Sequence, residues 1–331
     1  MAITKIQFSQ FTAFEELDFT ASPGINVLVG TNETGKTHLM KVAYAACDIS
    51  KTKADFAEKL VRVFMPSFQH LGRLVRRPQT SSHDPIECHI GIFRDDTLSV
   101  HAYFPNLAMR SGDSMVASAK EWCDHPVKSV YIPVKEMLAN APGFRSLYAQ
   151  REIHFEEIYA DILDRAYLPP PRDPMDHDCR LLADLQEIIG GEVTTEGEEF
   201  FLSSKQGNLE FMLLAEGMRK LGLLWRLIWN GTMSKGSILF WDEPETNLNP
   251  KLFGPLVEIL LELQRMGVQI FIATHDYVIL KELDLRLNSQ DQSENGQIHL
   301  HTTEAYLDIH PNAIAQAFDS LYDREIERSL R

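Results

Sequence analysis

The eight residues from Gly30 to Thr37 have the types and spacing needed to bind a phosphate chain. They match the Walker A pattern G-x-x-x-x-G-K-[ST]. In such a loop the glycines let the backbone curl so that successive N–H groups face the phosphates. The lysine reaches the β- and γ-phosphates, and the hydroxyl after it ligates Mg²⁺. The sequence therefore predicts ATP and Mg²⁺ as cofactors, with nucleotide contacts from Gly30, Asn32, Glu33, Thr34, Gly35, Lys36, Thr37 and His38.

A second group of polar residues follows two apolar runs in the last third of the chain. The run from Ser237 ends in Asp242 and Glu243, the arrangement of a Walker B motif. We expect Asp242 to hold Mg²⁺, through water or together with Thr37, and Glu243 to act as the general base. His275 follows the second run, where it would contact the γ-phosphate and the attacking water. The predicted catalytic residues are therefore Glu243, His275 and Lys36, and the predicted metal ligands are Thr37 and Asp242.

These residues need rigid elements to hold them in place. The apolar run Gly24–Val29 predicts a buried strand that enters the Walker A loop, and His38–Cys47 predicts the helix that leaves it. The N-terminus of that helix adds a positive partial charge near the phosphates. A helix over Leu252–Arg265 and a strand over Val268–Ala273 would bring His275 to the end of a strand.

The remaining chain has patterns of strands and helices that would surround this site. Residues 3–20 predict two strands, in which Phe11 or Phe14 could stack on adenine or pack in the core. Further elements are predicted as a β-hairpin over 85–104, a strand over Ser129–Pro133, a helical stretch over Lys135–Leu168 that prolines end, a helix over Leu181–Ile189, and strands near Glu199–Ser203 and Leu209–Leu213.

Composition places the chain among globular proteins that do not bind polyanions in general. Of the 331 residues 44% are hydrophobic and 24% are charged, and the formal net charge is −15. An acidic chain attracts nucleic acid only through a local basic region. The four cysteines lack C-x-x-C spacing, the N-terminus lacks a signal-peptide core, and no apolar run approaches the ~18 residues of a membrane span. We therefore expect a cytoplasmic protein with no membrane partner.

One segment departs from the acidic composition of the chain. Residues 51–77 carry seven Lys or Arg side chains against two acidic ones. A solvated helix face is the simpler interpretation of such a segment. The alternative is a local nucleic-acid contact, which would use Lys51, Lys53, Arg73, Arg76 and Arg77.

Three motifs in this order resemble the ABC-type ATPase heads of the RecF, SMC and overcoming-lysogenisation-defect (OLD) group. They are the Walker A loop, the segment DEPETNLNP (Asp242–Pro250) and the segment IATHD (Ile272–Asp276). The form DEPE-x-x-L-x-P is typical of bacterial single-chain ATPases of that group, many of which lie in phage-defence modules beside an effector protein. The resemblance covers about residues 1–50 and 205–285.

The resemblance implies an α/β fold, a P-loop NTPase with an ABC-ATPase-like head. Residues 1–135 and 231–331 would form the nucleotide-binding lobe, and residues 136–230 a mostly helical inserted lobe with a signature-like loop. It also implies a homodimer, or a higher homo-oligomer, with ATP between the Walker A loop of one subunit and the signature loop of another. Leu214–Lys220 occupies the signature position, with Ala215 where the transporter pattern L-S-G-G-Q has serine. Gly217, with Arg219 or Lys220, would then meet the γ-phosphate in trans.

The family resemblance predicts an ATPase whose output lies in another protein. Our first hypothesis is that ATP-dependent dimerisation or oligomerisation controls a separately encoded effector, in anti-phage defence. The acidic surface suits a protein partner, and about 55 residues follow His275, fewer than an ordinary domain. A RecF-like DNA-repair ATPase that acts through the basic segment is the second hypothesis. A transporter ATPase subunit is disfavoured by Ala215 and by the lack of an identifiable Q-loop, for which Lys135 and Glu136 are the candidates.

Overall fold

The computed structural model describes residues 2–31, 33–77, 85–95, 97–150, 153–172, 176–286 and 299–302, and of residues 176–179 and 299–302 it describes the backbone alone. The strands are β1 (Ile3–Phe11), β2 (Phe14–Thr20), β3 (Ile25–Val29), β4 (Glu87–Arg94), β5 (Leu98–Pro105), β6 (Met115–Ala117), β7 (Ser129–Ile132), β8 (Glu192–Glu196), β9 (Glu199–Ser204), β10 (Gly207–Glu210), β11 (Ile238–Asp242), β12 (Gln269–Thr274) and β13 (His299–Thr302). The helices are α1 (Lys36–Thr52), α2 (Phe56–Phe64), α3 (Ala119–Cys123), α4 (Phe144–Ala149), α5 (Glu157–Ala166), α6 (Asp176–Ile189), α7 (Glu216–Trp229), α8 (Phe253–Arg265) and α9 (Tyr277–Arg286). Within these ranges, none of the helices has the length and apolarity that a bilayer crossing requires.

A parallel five-stranded sheet lies at the centre of the fold, in the order β13-β3-β12-β11-β7. Every residue of its inner strands β3, β11 and β12 is buried, because both faces of the sheet are covered. Val27 and Val29 enter one core together with residues of α7 and α8, whereas Leu28 enters a second core with residues of α1. The α/β fold class predicted from the sequence is confirmed.

The register of this sheet brings the three motifs to one edge. Asp242 at the end of β11 lies opposite Ala273 of β12, and Thr274 lies opposite Val29 of β3. Parallel strands have their carboxyl ends at the same edge of a sheet, which is where α/β proteins bind ligands. The Walker A loop, the Walker B carboxylates and His275 therefore leave the sheet side by side.

An antiparallel sheet in the order β2-β1-β4-β5-β6 packs its apolar face against α1. The strand pair predicted over residues 3–20 and the hairpin predicted over residues 85–104 are both present. Phe11 and Phe14 are buried in this second core and contact Phe8. Of the two roles considered for these aromatic residues, their burial supports packing in the core.

The region 136–230 combines α4 to α7 with a three-stranded antiparallel sheet, in the order β10-β9-β8. The single helical stretch predicted over Lys135–Leu168 is wrong in its extent, because α4 begins only after Pro142-Gly143 and residues 153–156, between α4 and α5, are not helical. Strand β8 has no counterpart in the sequence-based prediction. The strand predicted near Leu209–Leu213 is shorter than expected, because Phe211 turns into the core.

Two cations of the basic segment form ion pairs inside the molecule. Lys59, which is 1% exposed, lies 2.7 Å from carboxylate oxygens of both Asp48 and Asp161. Arg62 pairs with Glu157 at 2.6 Å. These contacts hold α1 and α2 against α5. The charges of Lys59 and Arg62 therefore stabilise the fold and are not offered to a ligand.

Candidate functional site

The Walker A loop joins β3 to α1 and requires glycine at its last turn. Gly35 has φ +94°, in the left-handed region that favours glycine. A Cβ at this position would lie 2.5 Å from Cζ of Phe14, so Phe14 also leaves no room for a side chain. The helix α1 begins at the next residue, Lys36. Its first N–H groups and its positive end therefore point into the loop, as a phosphate site requires.

The ammonium group of Lys36 lies across the loop. Its Nζ donates hydrogen bonds to the carbonyl oxygens of Gly30, at 2.5 Å, and Thr31, at 2.6 Å. A phosphate in the loop would offer this cation charged acceptors, which form stronger hydrogen bonds than carbonyls do. Glu33 is exposed and Thr34 half-buried on the rim of the loop. Asn32, which was also predicted to contact nucleotide, lies outside the described residues.

The two predicted metal ligands lie side by side. The hydroxyl of Thr37 is 2.9 Å from Oδ2 and 3.2 Å from Oδ1 of Asp242. The hydroxyl of Tyr131 donates a further hydrogen bond to Oδ2 at 3.1 Å. Burial raises the pKa of Asp242, and the hydrogen bonds from Thr37 and Tyr131 oppose that rise. A hydroxyl and a carboxylate next to a phosphate loop are the oxygen ligands that Mg²⁺ prefers, so these residues fit that ion.

Glu243 and His275 form the second pair at this edge. Nδ1 of His275 lies 3.2 Å from Oε1 of Glu243, and these side chains are 47% and 26% exposed. Thr246 donates a hydrogen bond from its hydroxyl to Oε2 of Glu243 at 3.0 Å. Glu243 has φ +45°, a strained conformation for a residue with a side chain. Strain of this kind is concentrated at functional sites.

The signature-like loop is hydrogen-bonded to the turn after β11, residues 243–248, of the same chain. Lys220 is 1% exposed and donates hydrogen bonds to the carbonyls of Glu243, at 3.3 Å, and Thr246, at 3.0 Å. Burial lowers the pKa of this lysine. A Cβ on Gly217 would lie 2.5 Å from the carbonyl oxygen of Asn247. Gly217 and Lys220 thus have partners within the chain, and a contact of Gly217 with the nucleotide of a second subunit stays a prediction.

Arg219 of the same helix contacts the segment proposed as a Q-loop. Its Nε donates to the carbonyl of Leu214 at 2.9 Å, and its Nη1 lies 3.7 Å from Oε2 of Glu136. The carboxylate of Glu136 accepts hydrogen bonds from the N–H groups of Leu138 and Ala139. Burial raises the pKa of Glu136 to about 7. Glu136 therefore connects the end of β7 to the signature helix and does not face solvent.

His38 and the basic segment lie to the side of this arrangement. The ring of His38 packs against Phe64, with 5.5 Å between centroids, and burial with the nearby Lys41 lowers its pKa to about 4. Arg76 donates to the carbonyl of Ala13 at 2.7 Å. The exposed cations of the segment are Lys51, Lys53, Arg73 and Arg77.

Sequence reasoning missed residues that hold the site from outside the motifs. Tyr131 is one, since a tyrosine within an apolar strand carries no sign of its partner. Lys220 is another, because it was assigned to a second subunit. Glu245 lies inside the DEPE segment, and its Oε1 accepts a hydrogen bond from the hydroxyl of Thr274 at 2.6 Å. The third acid of this segment, two residues after Glu243, was the available signal.

Two curated proteins share short segments with the chain. The "DNA replication and repair protein RecF" of Limosilactobacillus fermentum is 36% identical over 89 residues, 25% of this chain and 24% of that protein. The "Energy-coupling factor transporter ATP-binding protein EcfA" of Methanothermobacter thermautotrophicus is 37% identical over 65 residues, 19% of this chain and 21% of that protein. The chain thus spans less than a quarter of the length of each relative.

A solved structure and a family model cover more of the chain. The structure of an Smc head bound to the C-winged helix domain of ScpA aligns with a TM-score of 0.56 at 12% identity, over 85% of this chain and 91% of that chain. At such low identity the likeness shows the fold alone. The family model described as "AAA domain, putative AbiEii toxin, Type IV TA system" matches residues 114–281, half of the chain. The chain therefore belongs to this AAA-domain family.

Proposed function

We propose that the chain binds ATP with Mg²⁺ and hydrolyses it to ADP and phosphate. The observation that carries the proposal is the convergence of three groups at one edge of the parallel sheet. These are Lys36 in its glycine loop, the pair Thr37–Asp242 and the pair Glu243–His275. Family membership supports ATPase activity at the level of the family.

Each group has a distinct task in this reaction. Lys36 binds the phosphate chain, and Thr37 with Asp242 would hold Mg²⁺, which neutralises phosphate charge when bound. Glu243 accepts the proton of the attacking water, because its carboxylate is partly exposed and turned by Thr246 toward His275. His275 contacts the same water and the γ-phosphate from the other strand. The strained backbone of Glu243 keeps this geometry before substrate arrives.

We further propose that ATP brings two copies of the chain together and that this controls a separately encoded effector, in anti-phage defence. The Glu243–His275 pair faces outward, so a second subunit could cover it and exclude water from it. Met212 and Leu213, directly before the signature-like loop, are 63% and 69% exposed and would be buried by such a contact. The family description names a toxin and a toxin–antitoxin system, which fits a role in controlling a harmful effector.

A RecF-like function on DNA is the second candidate, because the chain shares an 89-residue segment with RecF. Lys51, Lys53, Arg73 and Arg77 are exposed and could contact phosphates. Lys59 and Arg62 are held in ion pairs within the fold, which weakens the basic segment as a DNA surface. A transporter subunit is the third candidate, for which the EcfA segment is the support.

Trapping the ATP-bound state distinguishes these candidates. The variant Glu243→Gln is tagged, expressed in the native host, loaded with ATP and recovered, with and without nuclease treatment. Light scattering with ATP should give twice the mass of the chain or a higher multiple, and mass spectrometry should find one stoichiometric protein partner. Nuclease-sensitive DNA without a protein partner would support the RecF-like function instead. A monomer in the presence of bound ATP would contradict the proposed assembly.

A further inference from the structure

We infer that Glu245 is a positioning residue, which holds the Glu243–His275 pair in its reactive geometry through Thr274. This inference rests on the proposed ATP hydrolysis. Oε1 of Glu245 accepts the hydrogen bond of the Thr274 hydroxyl at 2.6 Å. Glu245 is 7% exposed and Thr274 is fully buried, so water does not compete for this bond. Glu245 lies two positions after Glu243, beyond the end of β11. Thr274 is the last residue of β12 and directly precedes His275.

On the β12 side, the hydroxyl of Thr274 organises the turn that carries His275. It accepts a hydrogen bond from the N–H of Asp276 at 3.0 Å. The carboxylate of Asp276 in turn accepts hydrogen bonds from the N–H groups of Val278, at 2.7 Å, and Ile279, at 3.1 Å, at the start of α9. His275 therefore lies between two residues whose positions are set by side-chain hydrogen bonds. Loss of the Thr274 hydroxyl would remove a hydrogen bond that fixes the turn carrying His275.

On the β11 side, the turn that carries Glu243 is closed by its own hydrogen bonds. The N–H of Thr246 donates to the carbonyl of Glu243 at 3.1 Å, and the N–H of Leu248 donates to the carbonyl of Glu245 at 3.0 Å. One backbone hydrogen bond, from Glu243 to Ala273 at 2.9 Å, joins this turn to β12. The hydrogen bond between the side chains of Glu245 and Thr274 joins the same turn to β12 a second time, close to Glu243 and His275.

Stability alone does not explain an acid at this position. Among the described residues, the buried Oε2 of Glu245 receives no hydrogen bond from another residue. A buried acceptor without a partner costs free energy, and such groups in folded proteins usually mark a function. Burial also raises the pKa of this carboxyl group, which is a further cost of placing an acid here. The hydrogen bond from Thr274 is the favourable interaction that a carboxylate at position 245 makes in return.

The consequence for turnover follows from the geometry of the pair. Glu243 and His275 must both reach one water molecule, and a displacement of about 1 Å in a reacting group can lower a rate by about 100-fold. Release of the Glu245–Thr274 connection should therefore lower kcat and leave the phosphate loop, which lies on β3, able to bind ATP. Such a division between kcat and KM is not expected of a general loss of structure.

A double-mutant cycle tests the inference. Thr274→Val and Glu245→Ala should each lower kcat by roughly 10- to 100-fold with KM for ATP within about 2-fold of wild type. The double variant should be no slower than the slower single variant, because both changes remove one bond. Thr274→Ser keeps the hydroxyl and should restore most of the kcat. The matched control is Thr232→Val, which removes another buried hydroxyl, bonded to Asn230 at 2.6 Å, and should leave kcat unchanged.

Different failures have different meanings in this design. If wild type hydrolyses ATP and the folded Thr274→Val variant does so at a similar kcat, Glu245 has no positioning role. Reductions that multiply in the double variant would also overturn the inference, because the two side chains would then act separately. Should Thr274→Val not fold, Glu245→Ala alone carries the comparison with Thr232→Val. If wild type does not hydrolyse ATP, the proposed function fails rather than this inference.

Discussion

Tyr131 and Asp242 are joined by a hydrogen bond of 3.1 Å across two neighbouring strands of the parallel sheet. The tyrosine is buried and its hydroxyl shares the same carboxylate oxygen with Thr37. It therefore fixes the direction in which Asp242 presents its other lone pairs. A partner of this kind sets the affinity of a metal site without touching the metal.

We predict that Tyr131→Phe lowers the affinity of the site for Mg²⁺. The Mg²⁺ concentration that gives half-maximal ATP turnover should rise by about 10-fold, because the carboxylate loses a hydrogen bond that orients it and keeps it ionised. A titration with Mg²⁺ at saturating ATP measures this shift. The control is Tyr44→Phe, which removes another buried phenol hydroxyl, bonded to Asp161 at 2.6 Å. An equal shift in the control, or no shift in Tyr131→Phe, would contradict the assignment.

Lys36→Ala should abolish nucleotide binding. The ammonium group lies across the phosphate loop and is bonded to the carbonyls of Gly30 and Thr31. Fluorescent ATP at concentrations up to millimolar should show no saturable binding to the variant. Lys51→Ala, an exposed lysine on the same helix α1, serves as the control and should bind as wild type does. ATP affinity retained by Lys36→Ala would refute the phosphate-binding role of this residue.

Glu136→Gln should make stability less dependent on pH. Burial raises the pKa of Glu136 to about 7, so between about pH 4.5 and pH 7 the folded chain keeps a proton that the unfolded chain releases. Stability therefore falls as pH rises through this window, by about 3 kcal/mol in total, and the loss persists above it. The amide cannot ionise, and Glu136→Gln should be about 1–3 kcal/mol more stable than wild type at pH 8 and similar to it at pH 4.5.

Denaturant unfolding at these two pH values measures the difference. A difference between Glu136→Gln and wild type that is the same at both pH values would mean that Glu136 does not titrate in this window.

ATP turnover should not respond to DNA at low salt. Lys59 and Arg62 are held by carboxylates of the fold, so the exposed part of the basic segment is small within an acidic chain. Turnover is compared with and without duplex DNA at 50 and 200 mM salt, in wild type and in a variant with Lys51 and Lys53 changed to Glu. Stimulation by DNA that falls steeply with salt and is lost in the variant would support the RecF-like function instead.

The parts of the site that sequence reasoning predicted are those in which chemistry and position are local. Gly35, Lys36 and Thr37 are consecutive, so their pattern predicts a loop, a helix start and a candidate metal ligand together, and the structure has the loop and the helix start at these residues. Asp242 and Glu243 end an apolar strand in the same way. The buried strands of the central sheet could also be predicted, because both faces are covered and each strand reads as a short apolar run.

The parts that could not be predicted depend on contacts between distant segments. Glu245 meets Thr274 only because Asp242 pairs with Ala273 in the sheet, and nothing in either segment specifies that register. Tyr131 reaches Asp242 for the same reason, from the neighbouring strand. The helix predicted over 135–168 rested on apolar residues in the second half of that stretch, where α5 forms, and it was extended back across Pro142-Gly143, which interrupts a helix.

The most direct test of the central claim is ATP binding and single-turnover hydrolysis by Glu243→Gln, measured on the same preparation. The amide keeps the shape of the side chain and cannot accept the proton of the attacking water. We predict ATP affinity like that of wild type and hydrolysis at least ~100-fold slower. Hydrolysis at a rate near that of wild type would contradict the account, and it would move the role of the general base to His275.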